Sequence, residues 1–145
     1  MDQTDYRILN ILQNDCRVTL KSIGGDVGLT APAVSERIHK MEETGVIQGF
    51  RIDIDRNRLD CNITGFIFAA PKPEKYRQFC HFCEVTPAII AHHHLIGEFN
   101  ALLRFAVQNT KELDQILAAI KQYGNSQTTV ELNTYFQRKD IPLPE

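Results

Sequence analysis

The 145-residue sequence predicts an α+β protein in two parts. Three observations carry that reading. Apolar residues recur at helical spacing through the first 45 positions. The pattern changes near residue 60. Beyond it, strand-like and helix-like runs follow in the order strand, helix, strand, strand, helix, strand. The domains are therefore placed at 1–60, with a linker strand at its end, and at 61–145.

In the first domain, Thr4 is the expected cap of a helix through YRILNILQND, with Ile8, Leu9, Ile11 and Leu12 as its apolar face. Asp15-Cys16-Arg17 breaks it. Thr19 caps a short helix, LKSIGGDV, which turns Leu20, Ile23 and Val27 inward, and Gly28 ends it. Thr30 caps a third helix over 31–44, with Val34, Ile38 and Met41 spaced i, i+4, i+7. Pro32 fits its first turn. Gly45 ends it. VIQGFRIDID then alternates, with Phe50, Ile52 and Ile54 on one face, and reads as a strand. Two helices joined by Gly28-Leu29-Thr30 and followed by such a strand describe a winged helix-turn-helix.

In the second domain the expected strands are 63–70, 88–97, 100–108 and 127–137, and the expected helices 73–85 and 110–123. Thr110 is the expected cap of the later helix, with Glu112 in its first turn. Leu113, Ile116, Leu117 and Ile120 form its apolar stripe. This order gives a ferredoxin-like β-α-β-β-α-β sandwich. The helices cover one face of the sheet. FIFAA and LLRFAV are apolar on both faces, so the other face needs a cover, and a second copy of the chain supplies it as a homodimer.

The apolar runs ITGFIFAA and ALLRFAV are too short to span a bilayer. The polar start MDQTDYR is not a signal peptide, and the expected compartment is the cytoplasm. The four cysteines, Cys16, Cys61, Cys80 and Cys83, then read as reduced thiols. The net charge is −2. Residues 1–60 hold 8 Lys+Arg against 10 Asp+Glu, and residues 61–145 hold 8 of each. Bulk charge therefore argues mildly against nucleic acid, and a DNA-binding reading rests on local placement of a few cations. No nucleophile–base pairing, Gly-rich phosphate loop or strong metal spacing is present. Neither catalysis nor a cofactor is expected.

The third helix carries that local placement. Its outward face holds Ala31, Ser35, Glu36, His39, Lys40 and Glu43, with a small N-terminal turn suited to close approach to base edges. In the helix-turn-helix geometry these N-terminal residues read bases in the major groove of double-stranded DNA, and flanking cations hold phosphates. Ser35 and Glu36 are the candidates for base contacts. Thr30, Lys21 and Lys40 are the candidates for phosphate contacts. Arg37 either reaches a phosphate or pairs with Asp26 or Glu42 and holds the helix in place. An ordinary helix–helix corner is the alternative for the whole segment.

The residues D5-x-x-I8-L9-x-x-L12-x-x-D15-x-R17, then V27-G28-L29-T30, then V34-x-x-R37-I38-x-x-M41-E42-x-x-G45-V46-I47, resemble the leucine-responsive regulator (Lrp/AsnC, feast/famine) family of transcription factors. I96-G97-E98-F99-N100 resembles that family's Gly-Asp-Phe/Tyr-Asp turn. The resemblance covers nearly the whole chain. It implies dimers that pair through their sheets and assemble further, commonly to octamers. It also implies an amino-acid effector bound against the turn Gly97-Glu98-Phe99-Asn100 and the last strand near Thr128. Glu98 keeps the acid that meets an ammonium, whereas Asn100 is neutral. A plain β-turn is the other reading of this segment. Gly24-Gly25 departs from the family's pattern, and each glycine costs roughly 1 kcal/mol relative to alanine inside a helix. The alternative function is an effector-independent protein that bends or organises DNA.

Two further clusters stand out. Cys80-x-x-Cys83 looks like a redox or metal pair, but lies in KYRQFCHFCEV, which reads as a helix. His92 and His94 share one strand face and His93 takes the other. They either form a metal pair completed by His81, Cys80 or Cys83, or sit half-buried at a subunit interface, where they make assembly pH-sensitive.

Overall fold

The computed structural model describes residues 1–136 and 139–144. They divide into two compact units: Met1–Asp53 with the described tail residues from Phe136, and Ile54–Tyr135. Three helices are followed by a four-stranded antiparallel sheet carrying two helices, which is the expected α+β class.

The first unit holds α1 (Gln3–Asn14), α2 (Leu20–Val27) and α3 (Ala31–Glu43). The cap of α1 is Asp2, not the expected Thr4. Asp2 Oδ1 accepts from the Asp5 N–H and Asp5 Oδ2 accepts from the Asp2 N–H, each at 2.9 Å. Asp-Gln-Thr-Asp is thus a reciprocal capping box with Asp in its last position. Thr19 and Thr30 cap α2 and α3 as expected, accepting from the N–H groups of Ser22 and Ala33. Gly28 ends α2 in the left-handed region, at φ +74°. Ile8, Ile23, Val34 and Met41, drawn from all three helices, form the buried centre. The Arg7 guanidinium donates to the Asp26 carbonyl and ties α1 to the end of α2. In the tail, the Gln13 amide donates to the Ile141 carbonyl (3.2 Å) and accepts from the Ile141 N–H (2.8 Å).

No strand forms over 46–55 among the described residues, so the expected wing strand is corrected. The alternation in the sequence is real, but Phe50, Ile52 and Ile54 are all exposed. A strand needs a neighbour for its N–H and C=O groups, and no such neighbour is paired with this segment among the described residues.

The second unit holds β1 (Ile63–Pro71), α4 (Tyr76–Val85, preceded by a 3-10 turn at Pro73–Lys75), β2 (Ile89–His94), β3 (Ala101–Val107), α5 (Thr110–Lys121) and β4 (Gly124–Val130). The strand order is β2-β3-β1-β4, all antiparallel, as in a ferredoxin-like sandwich. Ile67 pairs with Leu103 and Phe66 with Arg104. Ile67, Ala69, Leu103, Phe105 and Val107 face the helices, where Phe79, Cys83, Ile116 and Ile120 meet them. Phe79 and Phe105 are fully buried, each stabilising the unit by about 1.5–3 kcal/mol relative to exposure.

Three boundaries differ from the expectation. Asn109, not Thr110, caps α5: its Oδ1 accepts from the Glu112 N–H at 3.0 Å, and the Glu112 carboxylate accepts from the Gln108 N–H. β2 stops at His94 because the Leu95 N–H turns to the Asn100 carbonyl (2.8 Å) and closes the turn to β3. β4 covers 124–130 rather than 127–137. Gly-Asn-Ser-Gln reads as a turn by composition, yet it pairs with the end of β1 from Phe68 to Pro71. The pairing of β4 ends where β1 begins. Gln137, the last residue of that expected strand, lies outside the described residues. No helix is long and apolar enough to cross a membrane among the described residues.

Candidate functional site

The first candidate surface is the outer face of α3. Val34 and Met41 are buried, and Ile38 is half-buried on the same side. That fixes the helix's rotation about its axis. Pro32, Ser35, Glu36, His39 and Lys40 are consequently exposed, and Ala31 is half-buried at the first position. Thr30 stands at the cap, its hydroxyl accepting from the Ala33 N–H, and Pro32 in the first turn has no N–H to satisfy. Lys21 is exposed in the first turn of α2. His39 lies 3.3 Å from Glu43 and 3.9 Å from Glu42. The face is therefore mixed in charge: Lys40 and His39 interleave with Glu36, Glu42 and Glu43.

Arg37 departs from its neighbours. Its hydrogen-bond partners are neither of the two expected, Asp26 and Glu42. Nη1 donates to Asp5 Oδ1 at 2.7 Å and to Asp2 Oδ2 at 2.8 Å. Two hydrogen bonds, the Asp5 N–H and then the Arg37 guanidinium, hold the Asp2 carboxyl below the usual carboxylate range. The two acids raise the Arg37 guanidinium in turn. Sequence spacing missed this because the partners lie 35 and 32 positions away. The available signal was the second acid in Asp-Gln-Thr-Asp, close to the helix start.

Gly24 also changes meaning. It is buried, and a Cβ built on it would lie 2.4 Å from the Leu29 carbonyl oxygen. The close approach of α2 to the turn uses the missing side chain. Gly25 has open space around it.

The second candidate surface is the turn between β2 and β3. Gly97 adopts φ +156° and Glu98 is exposed. Phe99 folds back onto Phe68, with ring centroids 6.1 Å apart. Asn100 Oδ1 is buried with no partner among the described residues. Thr128, on β4, pairs with Ile67 and so shares the helix-covered face, whereas Phe68, and with it Phe99, lies on the opposite one. β1 stands between β3 and β4. One chain alone therefore does not gather Gly97, Glu98, Phe99, Asn100 and Thr128 into one pocket. The open face holds Phe66, Phe68, Leu102 and Ala106, all half-buried, with one polar insertion. Arg104 lies over Phe66 (5.8 Å to the ring centre) and 3.6 Å from Glu131, which also accepts from Thr64 Oγ1 at 2.8 Å. The Thr134 and Thr64 hydroxyls, then Arg104, hold the Glu131 carboxyl below its ordinary range.

The remaining clusters separate. Cys83 is in the core, and burial, with Cys80 behind it, pushes its thiol up to about 12. His92 and His94 share one face of β2 as expected, and it is the helix-covered one. His92 meets Phe79 edge-on (5.5 Å), and His94 Nδ1 bonds the Tyr76 hydroxyl. His81 points outward beside Glu84. No three His, Cys, Asp or Glu side chains converge among the described residues, so the grouping of these histidines with His81, Cys80 or Cys83 does not form.

Comparison with known proteins agrees with both halves. The AsnC-type helix-turn-helix domain matches residues 1–42, and the Lrp/AsnC ligand binding domain matches residues 64–141. The HTH-type transcriptional regulator YezC of Bacillus subtilis is 30% identical over 134 residues, 92% of this chain and 95% of that protein. The leucine response regulatory protein LrpA of Mycobacterium tuberculosis superposes with a TM-score of 0.87 at 25% identity, covering 98% of this chain and 100% of that one. A Neisseria meningitidis transcriptional regulator, solved in complex with L-Met, gives a TM-score of 0.88 at 18% identity over 98% of this chain and 96% of that one. With matched domains covering both the three-helix unit and the sheet, this chain belongs to the Lrp/AsnC family of HTH-type transcriptional regulators.

Proposed function

We propose that the exposed face of α3 enters the major groove of duplex DNA, with Ala31, Pro32, Ser35, Glu36 and His39 at base edges and Thr30, Lys21 and Lys40 at phosphates. The observation that carries this reading is the rotation of α3. Three apolar residues on one side lock the helix against α1 and α2, leaving a small, polar N-terminal turn outside. Readout from such a turn suits bases, while a few cations supply register on the phosphates. The test is selection from a randomised duplex library, followed by anisotropy titration of the selected and a scrambled duplex. Equal affinity for both would overturn sequence-specific readout.

The second half of the proposal is an amino-acid effector held at Gly97, Glu98, Phe99 and Asn100, with Thr128 supplied across an assembly. Two observations support it. The buried Asn100 Oδ1 is an acceptor without a donor among the described residues, and leaving such a group unpaired costs about 1–3 kcal/mol. Glu98 offers an exposed carboxylate in the same turn. The L-Met complex of the Neisseria relative is consistent with this ligand class. The separation of Thr128 from the turn in one chain favours a site completed by another copy. The open sheet face, with Phe66, Phe68 and Leu102, is the surface proposed for pairing into a homodimer, and dimers then assemble further. The cytoplasm is the compartment that fits DNA as the partner.

A further inference from the structure

We infer that Arg37 is a positioning residue rather than a phosphate contact: it clasps the recognition helix to the start of the chain through Asp2 and Asp5. The inference rests on the DNA-binding reading of α3 and refines it. Arg37 lies one turn after the cap region of α3, beside residues proposed to read bases. Its Nη1 is shared between two carboxylates at 2.7 and 2.8 Å. Those carboxylates are already fixed, because each accepts a backbone N–H of the α1 capping box. The acceptors are therefore preorganised, and the guanidinium meets them without ordering a new loop. The Asp5 side chain keeps 13% of its exposure, Arg37 33% and Asp2 54%, so water competes less for the Asp5 arm of the contact than for the Asp2 arm. A phosphate would have to break the clasp and approach two acids.

The two roles differ in measurable ways. A phosphate contact contributes to the salt dependence of binding on any sequence, whereas a positioning contact acts on the fit to the right sequence. The test uses the full chain, a duplex selected by the wild-type protein, and a scrambled duplex, titrated by anisotropy across salt. The variants are Arg37→Met, which keeps the apolar stem; Arg37→Lys; Asp5→Asn; and Asp2→Ser, which keeps a capping hydroxyl while removing the charge. The expected result is that Arg37→Met and Asp5→Asn each weaken the selected duplex about tenfold, with Asp2→Ser less affected. The scrambled duplex and the salt slope stay unchanged, and Arg37→Lys recovers part of the loss. The inference is overturned if Arg37→Met flattens the salt slope by roughly 0.9, the share of one neutralised phosphate. It is also overturned if Asp5→Asn leaves the selected duplex unaffected or tightens it. If Asp5→Asn does not fold, judged by its melting curve, Asp2→Ser and Arg37→Lys decide. Failure of the wild-type protein to prefer any duplex would instead overturn the DNA-binding reading itself.

Discussion

Gly24 and Gly25 are adjacent, both lie in α2, and the structure separates the effects of replacing them with alanine. At Gly25 an added Cβ meets nothing within 4 Å. Gly25→Ala therefore gains only the helix propensity and the reduced freedom of the unfolded chain, about 0.5–1 kcal/mol. At Gly24 the same gain is opposed by a Cβ 2.4 Å from the Leu29 carbonyl oxygen, roughly 1 Å inside ordinary van der Waals contact. The obstacle is backbone, and it sits in the turn that launches α3. Overpacking of this kind costs about 1–3 kcal/mol, so Gly24→Ala is expected to be neutral to about 2 kcal/mol destabilising. In a unit of this size each kcal/mol moves the midpoint by roughly 4–8 °C. The two variants should thus melt well apart, with the wild type between them or level with Gly24→Ala. Circular dichroism melts at fixed protein concentration provide the assay. Equal stabilisation by both alanines would refute the steric argument, since it would mean that the turn shifts at no cost.

Three other outcomes are expected. His92 is half-buried against Phe79, its Nε2 has no partner among the described residues, and burial, then His93 and His94, lower its pKa from the ordinary histidine value of 6.5. The unfolded chain takes up this proton first, so stability is complete above about pH 6.5 and declines as pH falls below it; His92→Leu should flatten that decline in melting experiments between pH 5 and 8, and an unchanged slope would exclude His92 as its source. Thiol titration of native protein at pH 8 should label exposed Cys16 quickly and leave Cys83 unreacted until denaturant is added, because its thiol is buried and pushed up to about 12; four fast equivalents would contradict this. Screening the twenty amino acids by melting temperature should find a selective rise that Glu98→Gln reduces, and a ligand at 100 times its Kd would stabilise by about 2.7 kcal/mol; no rise with any of them would favour the effector-independent reading.

The helices of the first unit were legible because their signals are local. Thr19, Gly28 and Thr30 mark ends within four residues of the groups they satisfy, and Ile23, Val34 and Met41 mark the inner side by spacing. The misses arose where the deciding partner was elsewhere or subtle. Asp2 outcompeted Thr4 for the start of α1 because a second acid three residues on could reciprocate. Asn109 outcompeted Thr110 because its side chain reaches the Glu112 N–H. β4 began early because an edge strand of Gly, Asn, Ser and Gln is held by backbone pairing to β1, which composition does not reveal. The 46–55 segment has strand chemistry without a strand, since pairing is a property of two segments and the described chain pairs none with it.

That distinction bears on the candidate sites unequally. The α3 face is complete in one chain: its rotation, its cap and its clasp are all set by residues of the same three helices. The residues proposed for the effector are not. Glu98 and Asn100 lie in the turn after β2, Thr128 lies on β4, and β3 and β1 intervene. The apolar open face, with Arg104 Nε buried beside Phe66 and without a partner among the described residues, likewise asks for something beyond one chain. A protein built this way would read DNA with a self-contained unit and regulate that reading through surfaces completed only by assembly. Ligand binding and assembly would then be thermodynamically linked, each strengthening or weakening the other by the same factor. Sedimentation equilibrium with and without the amino acid that raises the melting temperature is the direct check. A ligand that shifts the melt but leaves the distribution of oligomers unchanged would mean that the pocket closes within a single chain, contrary to the separation of Thr128 from Glu98 across the sheet.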